Sequence, residues 1–138
     1  KQRGIQTGMF IMLGYDGEQV EDIEATVAHL KACDPDVFLT TVAYPIKGTP
    51  YYARVEAEIF SERDWEVGSD RDLHVAGRHT RRFYAFATRW MVSEVALNRA
   101  RLHGGASLAR RAKLAANSAI GRAGMALTAG GRPAVARA

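Results

Sequence analysis

The feature that most constrains this chain is a strand, a helix and a second strand read in succession between Gly8 and Ala43. Gly8 to Leu13 is a nearly continuous apolar run, the pattern of a strand buried on both faces. It ends in the turn cluster Gly14-Tyr15-Asp16-Gly17. Helical spacing follows, with Val20, Ile23, Val27 and Leu30 on one stripe. Asp16 is positioned to cap this helix, with Gln19 three residues on. The acids Glu18, Glu21, Asp22 and Glu24 crowd its start, where the helix dipole favours negative charge. Pro35 ends it, because the residue before proline is pushed out of the helical region. Val37 to Ala43 is rich in β-branched residues and reads as the second strand. Two strands joined by a helix in so short a span form a parallel βαβ unit with a right-handed crossover.

That topology brings two glycine-bearing loops to one edge. Both strands point their C-terminal ends the same way, and ligands of α/β folds gather at that edge. Gly14–Glu18 follows the first strand and Tyr44–Thr49 the second. Glycine lets a ligand approach the backbone closely, and the helix start adds unpaired N–H groups. The edge suits a polar, nucleoside-like molecule, although the same glycines also serve tight turns.

Beyond the unit the pattern is helical. Residues 53–105 read as a helical C-terminal extension, with Phe83, Phe86, Ala87, Trp90 and Leu97 on one face of a helix from Thr80 to Arg101. Residues 62–77 form a charged, mixed stretch, and Gly104-Gly105 breaks the long helix. Residues 106–138, rich in Ala, Arg and Gly, are expected to be a helix fraying near Gly121 and poorly ordered beyond it.

Charge divides the chain the same way. Residues 1–98 carry 11 Lys/Arg against 15 Asp/Glu, whereas residues 99–138 carry 8 Lys/Arg and no acid. No apolar run approaches the ~20 residues that span a bilayer. The only cysteine, Cys33, excludes an internal disulfide, a cysteine-built zinc site or a cluster held by this chain's cysteines alone. A reducing cytoplasm is the expected compartment. His29, His74, His79 and His103 show no His-Glu-x-x-His spacing, so metal ligation is not the reading for them. Trp65 and Trp90 read as core anchors, and Tyr44, Tyr51 and Tyr52 flank the ligand edge, either as packing residues, the preferred reading, or as walls of a substrate pocket. Arg78, Arg81, Arg82 and Arg89 form a basic strip, either a grip for an anionic substrate or a face paired with the acids between Glu56 and Glu66.

At this point the motifs become recognisable. Gly8-Met-Phe-Ile-Met-Leu-Gly14-Tyr-Asp-Gly-Glu18 resembles the fifth-strand segment of radical S-adenosylmethionine enzymes, commonly Gly-x-x-x-x-x-Gly-x-Pro-Gly-Glu. Pro45-Ile-Lys-Gly-Thr-Pro-Tyr51 resembles the Pro-x-Pro-Gly-Thr segment after their sixth strand. Asp16 and Lys47 stand where those motifs commonly carry proline. Ser69 to Leu73 and Arg78 to Tyr84 are similar to the C-terminal extension of the subgroup with a cobalamin-binding domain.

The resemblance implies the C-terminal part of a partial (β/α)₆ TIM-like barrel, with residues 1–52 as its last strand-helix-strand unit. It implies S-adenosylmethionine as cofactor and a [4Fe–4S] cluster whose Cys-x-x-x-Cys-x-x-Cys ligands lie outside this sequence. Cobalamin would bind on a domain also outside it. The chemistry implied is a 5′-deoxyadenosyl radical abstracting hydrogen from a small-molecule substrate, with methyl transfer or related C–H chemistry. Ile11 and Leu13 would pack near adenine, Gly14 would admit the cofactor, and Ala43, Tyr44 and Pro45 would face the adenine edge. Glu18 would order its loop. The chain alone is expected to be inactive and, with an apolar edge strand, unstable. A rival reading is a module that binds nucleic acid or an anionic membrane through the basic tail. That tail lacks aromatics for base stacking and a large apolar face for a membrane, so nucleic acid is not the expected partner and a solubilising tail is the preferred reading.

Overall fold

A computed structural model describes residues 4–61, 69–70 and 73–131. Trp65, most of the charged stretch after Ser61, and the tail cations Arg132 and Arg137 lie outside the described residues. Within them the chain is mixed α/β, with four α-helices and two small sheets.

Strand β1 (Gly8–Leu13) pairs in parallel with β2 (Val37–Val42), with Phe10 opposite Leu39 and Leu13 opposite Val42. Helix α1 (Val20–Cys33) crosses between them and buries Ile23, Val27 and Leu30. Each such side chain contributes ~1.5–3 kcal/mol when fully removed from water. The helix starts one turn later than Asp16 suggests. Gly17 holds a left-handed turn (φ +78°), so Gln19 becomes the cap. The reciprocal hydrogen bond comes from Asp22, whose carboxylate accepts from Gln19 N at 2.8 Å. Asp34 closes the other end in a left-handed conformation (φ 43°), its N–H donating to Leu30 O.

The strands are not buried on both faces. Ile11 and Leu13 point into the core beneath the helices, but Phe10 is 86 % exposed, and Met12, Val37 and Leu39 share its open face. A continuous apolar run is compatible with either arrangement, since it does not specify what covers the second face.

After β2 the chain forms α2 (Pro50–Val55), capped by Thr49, whose hydroxyl accepts from Tyr52 N. The helical reading of the extension is interrupted here. A 3₁₀ turn, Glu56–Glu58, leads into β3 (Ile59–Ser61), which pairs antiparallel with β4 (Leu73–Val75). Helix α3 (Arg81–Leu102), capped by Thr80, packs Phe83, Tyr84, Ala87, Met91 and Val95 into the same core as α1.

Helix α4 (Leu108–Thr128) corrects the expectation of a frayed, poorly ordered segment. It lies against α3 through Gly121 and Gly124. A β-carbon on Gly121 would fall 2.6 Å from the backbone N of Trp90. The glycines that weaken the helix in isolation allow backbone approach, and that contact compensates. Met125 completes the core. Arg122 pairs with Glu24 of α1 and lies 4.8 Å from the Trp90 ring centre.

Candidate site at the C-terminal edge of the parallel sheet

Both glycine loops reach the same edge, as the βαβ topology demands, and side chains tie them together. Glu18 turns back to accept a hydrogen bond from Gly14 N at 2.7 Å. Tyr15 stacks on Tyr51 at 6.3 Å between ring centres, and Asp16 meets Arg54 at 3.6 Å. Arg78, just after the left-handed Gly77 (φ +80°), reaches across to this edge. It donates to Ala43 O at 3.0 Å and to the Tyr51 hydroxyl, with its guanidinium 5.3 Å from the Tyr51 ring centre.

Two concavities open on either side of Arg78, His79 and Tyr84. The first, of about 320 Å³, is lined by Ala43 and Tyr44 at the end of β2, by the β3–β4 hairpin and by the start of α3. The second, of about 260 Å³, is lined by the loop Tyr15–Gln19 together with Glu58. Burial pushes the Glu18 carboxyl above its ordinary range. Its bond from Gly14 opposes that, Asp22 adds to it, and Arg78 opposes it more weakly. Burial likewise pulls Arg78 down, against the raising influence of Tyr84, Asp16, Glu18 and Tyr15.

The residues singled out from sequence therefore divide. Ala43 and Tyr44 line the larger cavity and Glu18 the smaller. Ile11 and Leu13 lie on the helix-covered face, and core packing occupies their side chains. Pro45 is fully buried. At Gly14 (φ +76°) the space beside the α-carbon is filled from within the chain. A β-carbon there would meet Tyr84 Cζ at 3.0 Å and Val42 Cγ1 at 3.2 Å. The basic strip is not paired with Glu56 or Glu58. Arg78 serves the edge, and Arg89 bonds Asn117 of α4 at 2.6 Å.

Sequence reasoning missed Tyr84, Val75 and His79 as edge residues. Gly77-Arg78-His79 ahead of a capping threonine was the available signal. Among the described residues, no three His, Cys, Asp or Glu side chains are grouped to hold a metal ion. Cys33 lies at the end of α1, which the topology places at the opposite edge of the sheet.

Searched against known protein families, curated proteins and solved structures, the chain finds no match. No helix among the described residues is long and apolar enough to cross a membrane.

Proposed function

We propose that this chain is the C-terminal part of a radical S-adenosylmethionine enzyme of the cobalamin-associated kind, forming one side of its nucleoside pocket. The observation that carries the reading is the placement of Ala43 and Tyr44 on a concave site at the C-terminal edge of a parallel βαβ unit, beside the Gly14–Glu18 loop. In this reading β1, α1 and β2 are the last unit of a partial (β/α)₆ barrel, and the Phe10 face of the sheet looks into it.

The residues fit a nucleoside better than a cluster. The end of β2 offers the Tyr44 ring to a base, whereas the edge carries no cysteine. In such an enzyme the cluster, held by residues outside this sequence, supplies the electron that cleaves S-adenosylmethionine. This chain would bind and orient the adenosine. Glu18 fixes the loop by holding Gly14 N–H, and Arg78 fixes the end of β2 through Ala43 O.

The basic-tail alternative has less support. Arg111 donates to Ala100 O at 3.0 Å and Arg122 pairs with Glu24, so two of its cations are engaged within the fold.

The coding sequence upstream of Lys1 tests the reading. A Cys-x-x-x-Cys-x-x-Cys ahead of several strand-helix units, and S-adenosylmethionine cleavage by the reconstituted product, are the expected results. An open reading frame without those cysteines would end it. On the chain itself, S-adenosylmethionine should shift the amide resonances of Ala43, Tyr44 and Gly14 through Glu18 before others.

A further inference from the structure

The two concavities beside Arg78 differ in charge. The smaller holds Asp16, Glu18 and Glu58. The larger holds Arg78, Arg81, His74 and His79 and, among the described residues, no carboxylate. Helix α3 begins at its wall with Arg81 and Arg82 in the first turn and no acid there. Cations at a helix N-terminus oppose the dipole, and no acid in the first turn of α3 offsets Arg81 and Arg82. Arg78 uses two of its five N–H groups, on Ala43 O and the Tyr51 hydroxyl. Its Nε is buried with no acceptor among the described residues. The acids that do act on Arg78, Asp16 and Glu18, line the smaller concavity and not this one.

We propose that the larger cavity binds a small phosphate monoester, with its phosphate at Arg78, Arg81 and the start of α3, and its organic part against Phe60 and Val75. Two guanidinium groups offer more donors than the two oxygens of a carboxylate accept, whereas a phosphate presents three oxygens and a double charge. The volume of about 320 Å³ exceeds what a bare phosphate fills, and Phe60, Leu73 and Val75 give the remainder an apolar wall. Both readings use this cavity, the nucleoside beside Ala43 and Tyr44 and the phosphate beside Arg78 and Arg81. S-adenosylmethionine carries no phosphate, so separate titrations with it and with phenyl phosphate distinguish failure of one reading from failure of the other.

Calorimetric titration of the chain with phenyl phosphate at low salt tests it, with inorganic phosphate and benzoate as comparison ligands. Arg81 is exposed, so Arg81→Gln leaves the core intact, and an unchanged amide spectrum verifies this. Saturable 1:1 binding is expected, weakened about tenfold by Arg81→Gln, the loss of one charge-assisted contact. Arg110→Gln, an equal charge change on exposed α4, should alter it less than about twofold, as expected for a distant screened charge. Absence of saturable binding would overturn the proposal, as would equal losses in the two variants. Benzoate binding as tightly as phenyl phosphate would overturn the phosphate assignment. Inorganic phosphate binding as tightly as phenyl phosphate would overturn the role of the apolar wall.

Discussion

The phenol ring of Tyr84 fills the space that a side chain on Gly14 would need. Its Cζ and hydroxyl oxygen lie 3.0 and 3.1 Å from where a β-carbon would stand, and Gly14 itself holds φ +76°. Sterics and backbone conformation thus act together at the turn that carries Glu18.

Gly14→Ala is expected to cost ~1–3 kcal/mol through left-handed strain alone, with crowding by Tyr84 adding to it. Adding Tyr84→Leu should recover the crowding part and leave the strain. Urea denaturation of the single and double variants measures both, and full additivity would contradict the contact.

Two glutamates should leave opposite pH signatures. The Glu18 carboxyl is raised above its ordinary 4.5, chiefly by burial. Its contribution to stability is therefore present below that value and lost as pH rises through the raised one. Glu18→Gln keeps an acceptor for Gly14 N–H, so it should match the parent at low pH and become the more stable near neutrality. Burial alone would raise Glu94, but hydrogen bonds from Lys31 and Ser118 and the charges of Lys31 and Arg101 outweigh it and hold it below 4.5. Its contribution is present above 4.5 and lost as pH falls. Glu94→Gln should cost ~0.5–1 kcal/mol at neutral pH and nothing in strong acid. Denaturation midpoints across pH 3–8 separate the two.

The two interface glycines of α4 should differ in how they can be rescued. A β-carbon at Gly121 meets the backbone of Trp90, with N at 2.6 Å and Cα at 2.8 Å, and no side-chain change relieves that. At Gly124 the obstacle is the Phe86 ring, with Cε1 at 2.5 Å. Overpacking costs ~1–3 kcal/mol or more. Phe86→Leu should restore part of the loss in Gly124→Ala, whereas no substitution at Trp90 should restore Gly121→Ala. Thermal melts monitored by helical circular dichroism read the difference.

The open sheet face should bind an apolar dye. Phe10, Met12, Val37 and Leu39 lie together on it and are exposed. Replacing Phe10 with Ser and Leu39 with Thr should lower dye fluorescence several-fold, with little loss of stability because neither side chain is in the core. An unchanged signal would place the apolar surface elsewhere.

Much of the βαβ unit was legible because its periods are clean. The Ile23, Val27 and Leu30 stripe is the buried face of α1, and β1 runs from Gly8 to Leu13 as the apolar run does. The β3–β4 hairpin was not legible. Its strands are three residues long, too short for alternation to register, and Ile59 pairs with Val75, far along the sequence. Helix α4 was not legible because alanine and glycine bury little area of their own. Their use here is to let two backbones meet. At the candidate site, the resemblance implied that Glu18 orders its loop, and its carboxyl accepts from Gly14 N. The approach of Tyr84 to Gly14 joins residues too far apart in sequence for any local pattern to show.

The covered and uncovered faces of the β1–β2 sheet carry a chirality. Right-handed crossovers place each successive helix on the same side when strands are added in one direction. A sheet extended from the free edge of β1 in that manner would have α1 and its counterparts as an outer ring, and the natural twist would curl it away from them. Phe10, Met12, Val37 and Leu39 would then face a shared lumen. In a sheet so extended, the hand of a single crossover would decide which residues of this unit form interior wall and which form outer packing.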